Sequence, residues 1–113
     1  MRLMLTALAL TLAVPVVANA ASFDCARART PDEKAICPNT ALNDKDVKMS
    51  VLYDINKRTL AMGGRGALMD SQQEWLRDRR KCGASRACLN RAYDQRLTDL
   101  DRSMERIYRN APF

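Results

Sequence analysis

Residues 72–89 read QQEWLRDRRKCGASRACL, a helix end, a turn and a helix start in that order. Trp75 falls seven residues after Leu68 and seven before Cys82, with Gln72 and Arg79 between them, which marks one stripe along a helix. That helix closes in Arg79, Arg80, Lys81, Cys82 and Gly83, so its cations sit where the helix dipole is negative. Ser85 follows as the N-cap of the next helix. A turn around Ala84 and Ser85 sets Cys82 and Cys88 opposite each other.

Downstream, Leu89, Tyr93, Leu97, Leu100, Met104, Ile107 and Tyr108 form one long stripe, the most regular in the chain. Upstream, a helix is expected from Asn39-Thr40 to Gly63-Gly64, with Leu42, Met49, Leu52, Tyr53, Ile55, Leu60 and Met62 mostly at three- and four-residue steps. Glycine can take the left-handed conformation that ends a helix, so Gly63, Gly64, Arg65 and Gly66 read as a flexible turn. Before it, Thr30-Pro31-Asp32-Glu33 combines an N-cap, a first-position proline and a capping-box glutamate, and Pro38 stops that helix after about two turns. Short connections force consecutive helices to run antiparallel. The expected fold is all-α: a small disulfide-stapled bundle of three long helices plus one short N-terminal helix.

Arg2, the apolar run Leu3 to Val17 and the small residues Ala18-Asn19-Ala20 have the order of a secretory signal peptide cleaved after Ala20. The apolar run is shorter than the ~20 residues a membrane span needs, and no cysteine directly follows the small residues to take a lipid. The expectation is a segment 1–20 that is removed and one domain over 21–113, periplasmic or secreted, with no transmembrane segment. A domain of that size is near the limit of what a single core stabilises unaided. Cys25, Cys37, Cys82 and Cys88 allow three disulfide connectivities; local pairing, Cys25 with Cys37 and Cys82 with Cys88, is preferred because each pair flanks a short turn or helix.

Nothing in the sequence has the form of a catalyst. The chain has no histidine to activate a serine or cysteine, and no paired carboxylates for glycosidase chemistry are evident. Wide cysteine spacing without histidine argues against zinc, and neither metal nor cofactor is expected. Tyr53, Trp75 and Tyr93 are read as core. Asp46 and Arg79, polar positions within apolar stripes on antiparallel helices, are read as an interhelical ion pair. Asp94, Asp99 and Asp101 alternate with Arg91, Arg96 and Arg102, which reads as a solvated, salt-laced surface. Arg77, Arg79, Arg80, Lys81 and Arg86 cluster around the last turn. Without Arg2, a chain of 19 Lys and Arg against 13 Asp and Glu keeps an excess of five positive charges, which favours anionic surfaces. With no exposed aromatics interleaved among those cations, nucleic acid is not an expected partner.

These residues together resemble the lysozyme inhibitor LprI-like N-terminal domain family of small bacterial envelope proteins. The resemblance rests on Phe23-Asp24-Cys25 with Thr30-Pro31, Glu33-Lys34 and Ile36-Cys37, then on Leu42, Asp46, Met49 and Tyr53. It continues through Gln72, Trp75-Leu76, Arg79 and Cys82-Gly83, and ends on Cys88-Leu89, Tyr93, Arg96-Leu97 and Leu100. It covers nearly all of residues 21–113 and departs at Lys45 and in the run from Gly63 to Gly66. What it implies is a helical periplasmic or cell-surface domain and, for some members, inhibition of lysozyme. An inhibitor of lysozyme or a related muramidase can present a rigid turn whose cation or hydroxyl meets the enzyme's catalytic carboxylates. Arg80, Lys81, Ser85 and Arg86 around the Cys82–Cys88 turn are the candidate contacts, with Arg65 in the glycine-rich stretch as a second place. The alternative partner is an anionic envelope polymer, such as lipopolysaccharide or cell-wall glycan, met by the same basic turn.

Overall fold

A computed structural model describes residues 21–110; the expected signal segment 1–20 and its cleavage point, like residues 111–113, lie outside that range. The described chain is a disulfide-stapled all-α bundle. A 3-10 turn over Cys25–Arg27 leads to a short α1 (Pro31–Ile36), followed by three long helices: α2 (Thr40–Thr59), α3 (Met62–Lys81) and α4 (Arg86–Asn110). No helix among the described residues is long and apolar enough to cross a membrane.

Side-chain oxygens start several of these elements by accepting backbone N–H groups that have no partner within the helix. Asp24 Oδ1 accepts from Ala26 N at 3.0 Å, and Asn39 Oδ1 accepts from Leu42 N at 3.1 Å. Thr30 precedes Pro31 at the head of α1, but its hydroxyl donates to Glu33 Oε1 at 2.7 Å and caps no backbone amide.

Interhelical hydrogen bonds fix the register. Asp46 meets Tyr93 and Asn56 meets Leu100, so α2 and α4 run the same way. Between them, Gln72 meets both Met49 and Arg96, and Arg79 meets Tyr93, so α3 runs opposite to both. The result is an up-down-up bundle, with α1 and the N-terminal segment laid over the end that carries the α3–α4 turn.

Each long helix buries about one residue per turn. On α3 these are Leu68, Gln72, Trp75 and Arg79; on α4, Leu89, Tyr93, Arg96 and Leu100. On α2 they are Leu42, Asn43, Asp46, Met49 and Asn56. The core is therefore narrow and layered, with apolar levels alternating with hydrogen-bonded polar ones. Trp75 packs edge-on against Tyr93 with ring centroids 5.1 Å apart, and its indole N–H donates to the Ala92 carbonyl at 3.0 Å. Tyr53 is only half-buried at the edge of this core, beneath the ammonium of Lys57.

The glycine-rich stretch departs from its expected role. The helix before it ends at Thr59, the connection is the extended pair Leu60 and Ala61, and Gly63, Gly64 and Gly66 all lie within the first turns of α3. Among the described residues, Gly83 in the last turn is the one glycine with positive φ, at 56°. A Cβ on Gly63 or Gly66 would meet nothing within 4 Å. These two glycines thus weaken the start of α3 through backbone entropy with no steric need for them. Gly63→Ala and Gly66→Ala should each raise stability by about 0.5–1 kcal/mol, seen as additive increases in the urea midpoint at unchanged slope.

Candidate functional site

At the α1 end of the bundle the polar layer closes around Arg79, which is 6 % exposed. Its Nε donates to Asp32 Oδ2 at 2.8 Å and its Nη1 to the Tyr93 hydroxyl at 3.4 Å, while Asp46 Oδ1 lies 3.7 Å from Nη1. Tyr93 in turn donates to Asp46 Oδ1 at 2.7 Å, and the Ser22 amide donates to Asp46 Oδ2 at 2.7 Å. Phe23 and Trp75 flank the guanidinium, with ring centroids at 5.4 and 5.8 Å. Asp46 and Arg79 do face each other, but the shorter bond of Arg79 is to Asp32 on α1. A sequence reading treats Asp32 as a first-turn dipole acid and has no means of seeing its burial.

Burial opposes ionisation of Asp32, yet hydrogen bonding and the charge of the Arg79 guanidinium beside it outweigh that and hold its carboxyl below the ordinary 3.8. Burial works against the charge of Arg79 as well, and its Tyr93 and Asp32 contacts reverse the effect and raise it. Burial pushes the Tyr93 phenol far upward, reinforced by the Asp46 carboxylate, so Tyr93 stays a neutral donor.

Above this layer lies the α3–α4 turn. Cys82 is bonded to Cys88 and Cys25 to Cys37, with Cα–Cα distances of 5.4 and 5.8 Å. In a chain-entropy view each closed loop adds about 2–3 kcal/mol by restricting the unfolded state. The turn's backbone is hydrogen-bonded along its length: Cys82 N to Arg79 O at 3.1 Å, Gly83 N to Arg80 O at 3.1 Å and Ser85 N to Cys82 O at 3.2 Å. Ser85 Oγ accepts from Cys88 N at 3.3 Å as the cap of α4, and its own O–H remains able to donate outward.

Arg80, Lys81, Ser85 and Arg86 are all exposed around this turn. Lys81 pairs with Asp78 at 3.2 Å, whereas Arg80 and Arg86 have no ion pair among the described residues. Arg80, on α3, also borders a small cleft beside Phe23, Glu33 and Tyr53, whose lining does not include Arg86. Arg79 does not belong to the surface cluster. Arg65 is not in a loop: it sits in the first turns of α3 with its Nε donating to the Lys57 carbonyl at 2.9 Å.

Arg86 occupies a position that the fold disfavours. It is the first residue of α4, no acid lies in that helix's first turn, and the helix dipole is positive there. Such a placement costs about 0.3–1 kcal/mol, which an anionic partner would recover. Among the described residues, no group of three or more Cys, Asp or Glu is placed to hold a metal ion. Comparison of the chain with family models, curated proteins and solved structures finds no match to any of them.

Two outcomes follow for the buried layer. Arg79→Met strands two carboxylates in the interior and should cost about 3–5 kcal/mol, read as a lowered urea midpoint. Acid titration of the intact protein should show the contribution of Asp32 fully present above its unfolded pKa and lost as pH falls below 3.8 through the lower folded value. An Asp32→Asn variant should show a correspondingly shallower loss of stability across that same range.

Proposed function

We propose that this protein is an exported, non-enzymatic envelope protein that inhibits a lysozyme or related muramidase by docking the Cys82–Cys88 turn into the enzyme's cleft. The observation that carries this reading is Arg86: an exposed cation without an ion pair among the described residues, on a bridged and hydrogen-bonded turn, at a helix start that repels it. A glycosidase cleft holds two acidic residues a few ångströms apart, which a guanidinium and a neighbouring hydroxyl can bond together. The bridge lowers the ordering cost of such a contact, since the backbone that carries Ser85 and Arg86 is held before any partner arrives. The resemblance in the cysteine, tryptophan and arginine positions supports the same reading, and the signal-like first twenty residues support an envelope location.

A second reading keeps the surface and changes the partner to an anionic envelope polymer such as lipopolysaccharide or cell-wall glycan. It is favoured by the absence of ion pairs at Arg80 and Arg86 among the described residues and by the positive excess of the chain. Salt separates the two: polyanion binding weakens steeply as salt rises, and a shape-matched protein interface weakens less.

The test is muramidase activity on cell-wall substrate with increasing amounts of the oxidised, exported protein, at low and physiological salt. Inhibition should saturate near one equivalent and be lost on reduction of the disulfides. Arg86→Glu should weaken inhibition at least tenfold while raising fold stability by about 0.3–1 kcal/mol, because the same change improves the helix start. A variant that loses inhibition and stability together would point to misfolding. No inhibition of any lysozyme type at large molar excess would remove the inhibitor reading.

A further inference from the structure

The end of the bundle away from the disulfide turn is formed by the first turns of α3 and the last turns of α4. They leave a groove of about 850 Å³ between the α2–α3 connection and the α4 stretch from Arg96 to Asn110. That volume lies within the ~300–1,000 Å³ of small-molecule sites. Its contributors on α4 recur every three or four residues, so the groove follows the helix axis for roughly 21 Å. Leu60, Leu68, Leu100 and Ile107 give it apolar walls, and Ala67 on α3 keeps one side low.

The inner end of the groove holds Arg96, which sequence reading places on a solvated face. The structure leaves it 6 % exposed. Its Nε donates to Gln72 Oε1 at 2.9 Å and its Nη2 to Ser71 Oγ at 3.3 Å, both neutral acceptors. Its Nη1 donates to nothing among the described residues, and no carboxylate there forms an ion pair with it. The one carboxylate lining the groove, Asp99, is exposed and accepts from Gln95 at 3.2 Å. Arg106 adds a second cation toward the outer end. A cation this buried is normally matched by an anion, as Arg79 is by two in the same bundle. Here both direct hydrogen-bond acceptors are neutral, Asp99 in the same groove favours the Arg96 charge only from beyond ion-pair distance, and apolar side chains line much of the space beyond.

We propose that this groove binds a single-chain amphiphile with an anionic head, the head on Arg96 and the acyl chain along the walls of Leu60, Leu68, Leu100 and Ile107. The head group comes either from a free fatty acid or from a lysophospholipid, and both present the planar or tetrahedral oxyanion that a guanidinium bonds in pairs. The site is independent of the muramidase reading, because it lies at the opposite end of the bundle from Arg86.

The oxidised, exported protein would be titrated calorimetrically, below micelle-forming concentrations, with palmitate, with 1-palmitoyl lysophosphatidate and with the neutral monopalmitin. The expected result is saturable one-to-one binding of at least one anionic chain, with monopalmitin at least tenfold weaker. Stronger palmitate binding assigns a carboxylate head, and stronger lysophosphatidate binding a phospholipid one. Arg96→Met should reduce the anionic chain to the affinity of monopalmitin. Ala67→Trp, a change at an exposed position that fills the groove, should remove binding of all three without lowering the thermal midpoint. Equal binding of neutral and anionic chains, or binding untouched by Ala67→Trp, would overturn the site even if Arg96→Met fails to fold. Absence of saturable binding by either anionic chain would overturn it outright.

Discussion

The guanidinium of Arg79 is the interaction on which the rest of this small bundle depends. It bonds Asp32 on α1 and Tyr93 on α4 and faces Asp46 on α2, and through Asp46 the network reaches the amide of Ser22. One side chain on α3 thereby connects all the other helices and the N-terminal segment. A buried ion pair contributes little net stability against an apolar substitute, but its directional bonds penalise any slip in register. That constraint matters here because the apolar core is narrow, and the bonds of Arg79 act together with the Trp75 indole bond to the Ala92 carbonyl to fix the rotation of α3.

The same network positions the turn that bears Ser85 and Arg86. The Arg79 carbonyl accepts from Cys82 N, so the last fixed turn of α3 leads directly into the bridged loop. Tyr93, less than two turns beyond the bridge on α4, anchors the other arm. Both arms of the exposed turn are thus fixed from beneath by the core, and the disulfide closes them at the surface.

Much of this architecture was legible in residues 72–89 and in the stripes flanking them, because periodicity reports which side of a helix is buried. The spacing of Leu68, Trp75 and Cys82 and the local cysteine pairs fall in that class. What was not legible has two physical sources. Burial of a polar residue depends on a partner distant in sequence: Asp32 finds Arg79 forty-seven residues away, and Arg96 leaves a charge-rich helix face for Gln72, twenty-four residues away. The glycines at 63, 64 and 66 were misplaced for a different reason. Intrinsic propensity disfavours them in a helix, but the extended pair Leu60 and Ala61 already makes the turn, and the packing of Leu68 and all that follows carries α3 back through the weak start. Tyr53 lay on the correct side of α2 and still reaches only the edge of the core, since a stripe gives direction without depth.

Both disulfides join a cysteine to the next cysteine along the chain, Cys25 to Cys37 and Cys82 to Cys88. A chain threaded N-terminus first through an oxidising site presents its thiols in that order. At the moment the second thiol emerges, its native partner is the single other thiol in reach, and the same holds for the fourth once the first pair has closed. Where oxidation keeps pace with N-terminus-first emergence, consecutive pairing of this kind reaches the native connectivity without passing through a mispaired species.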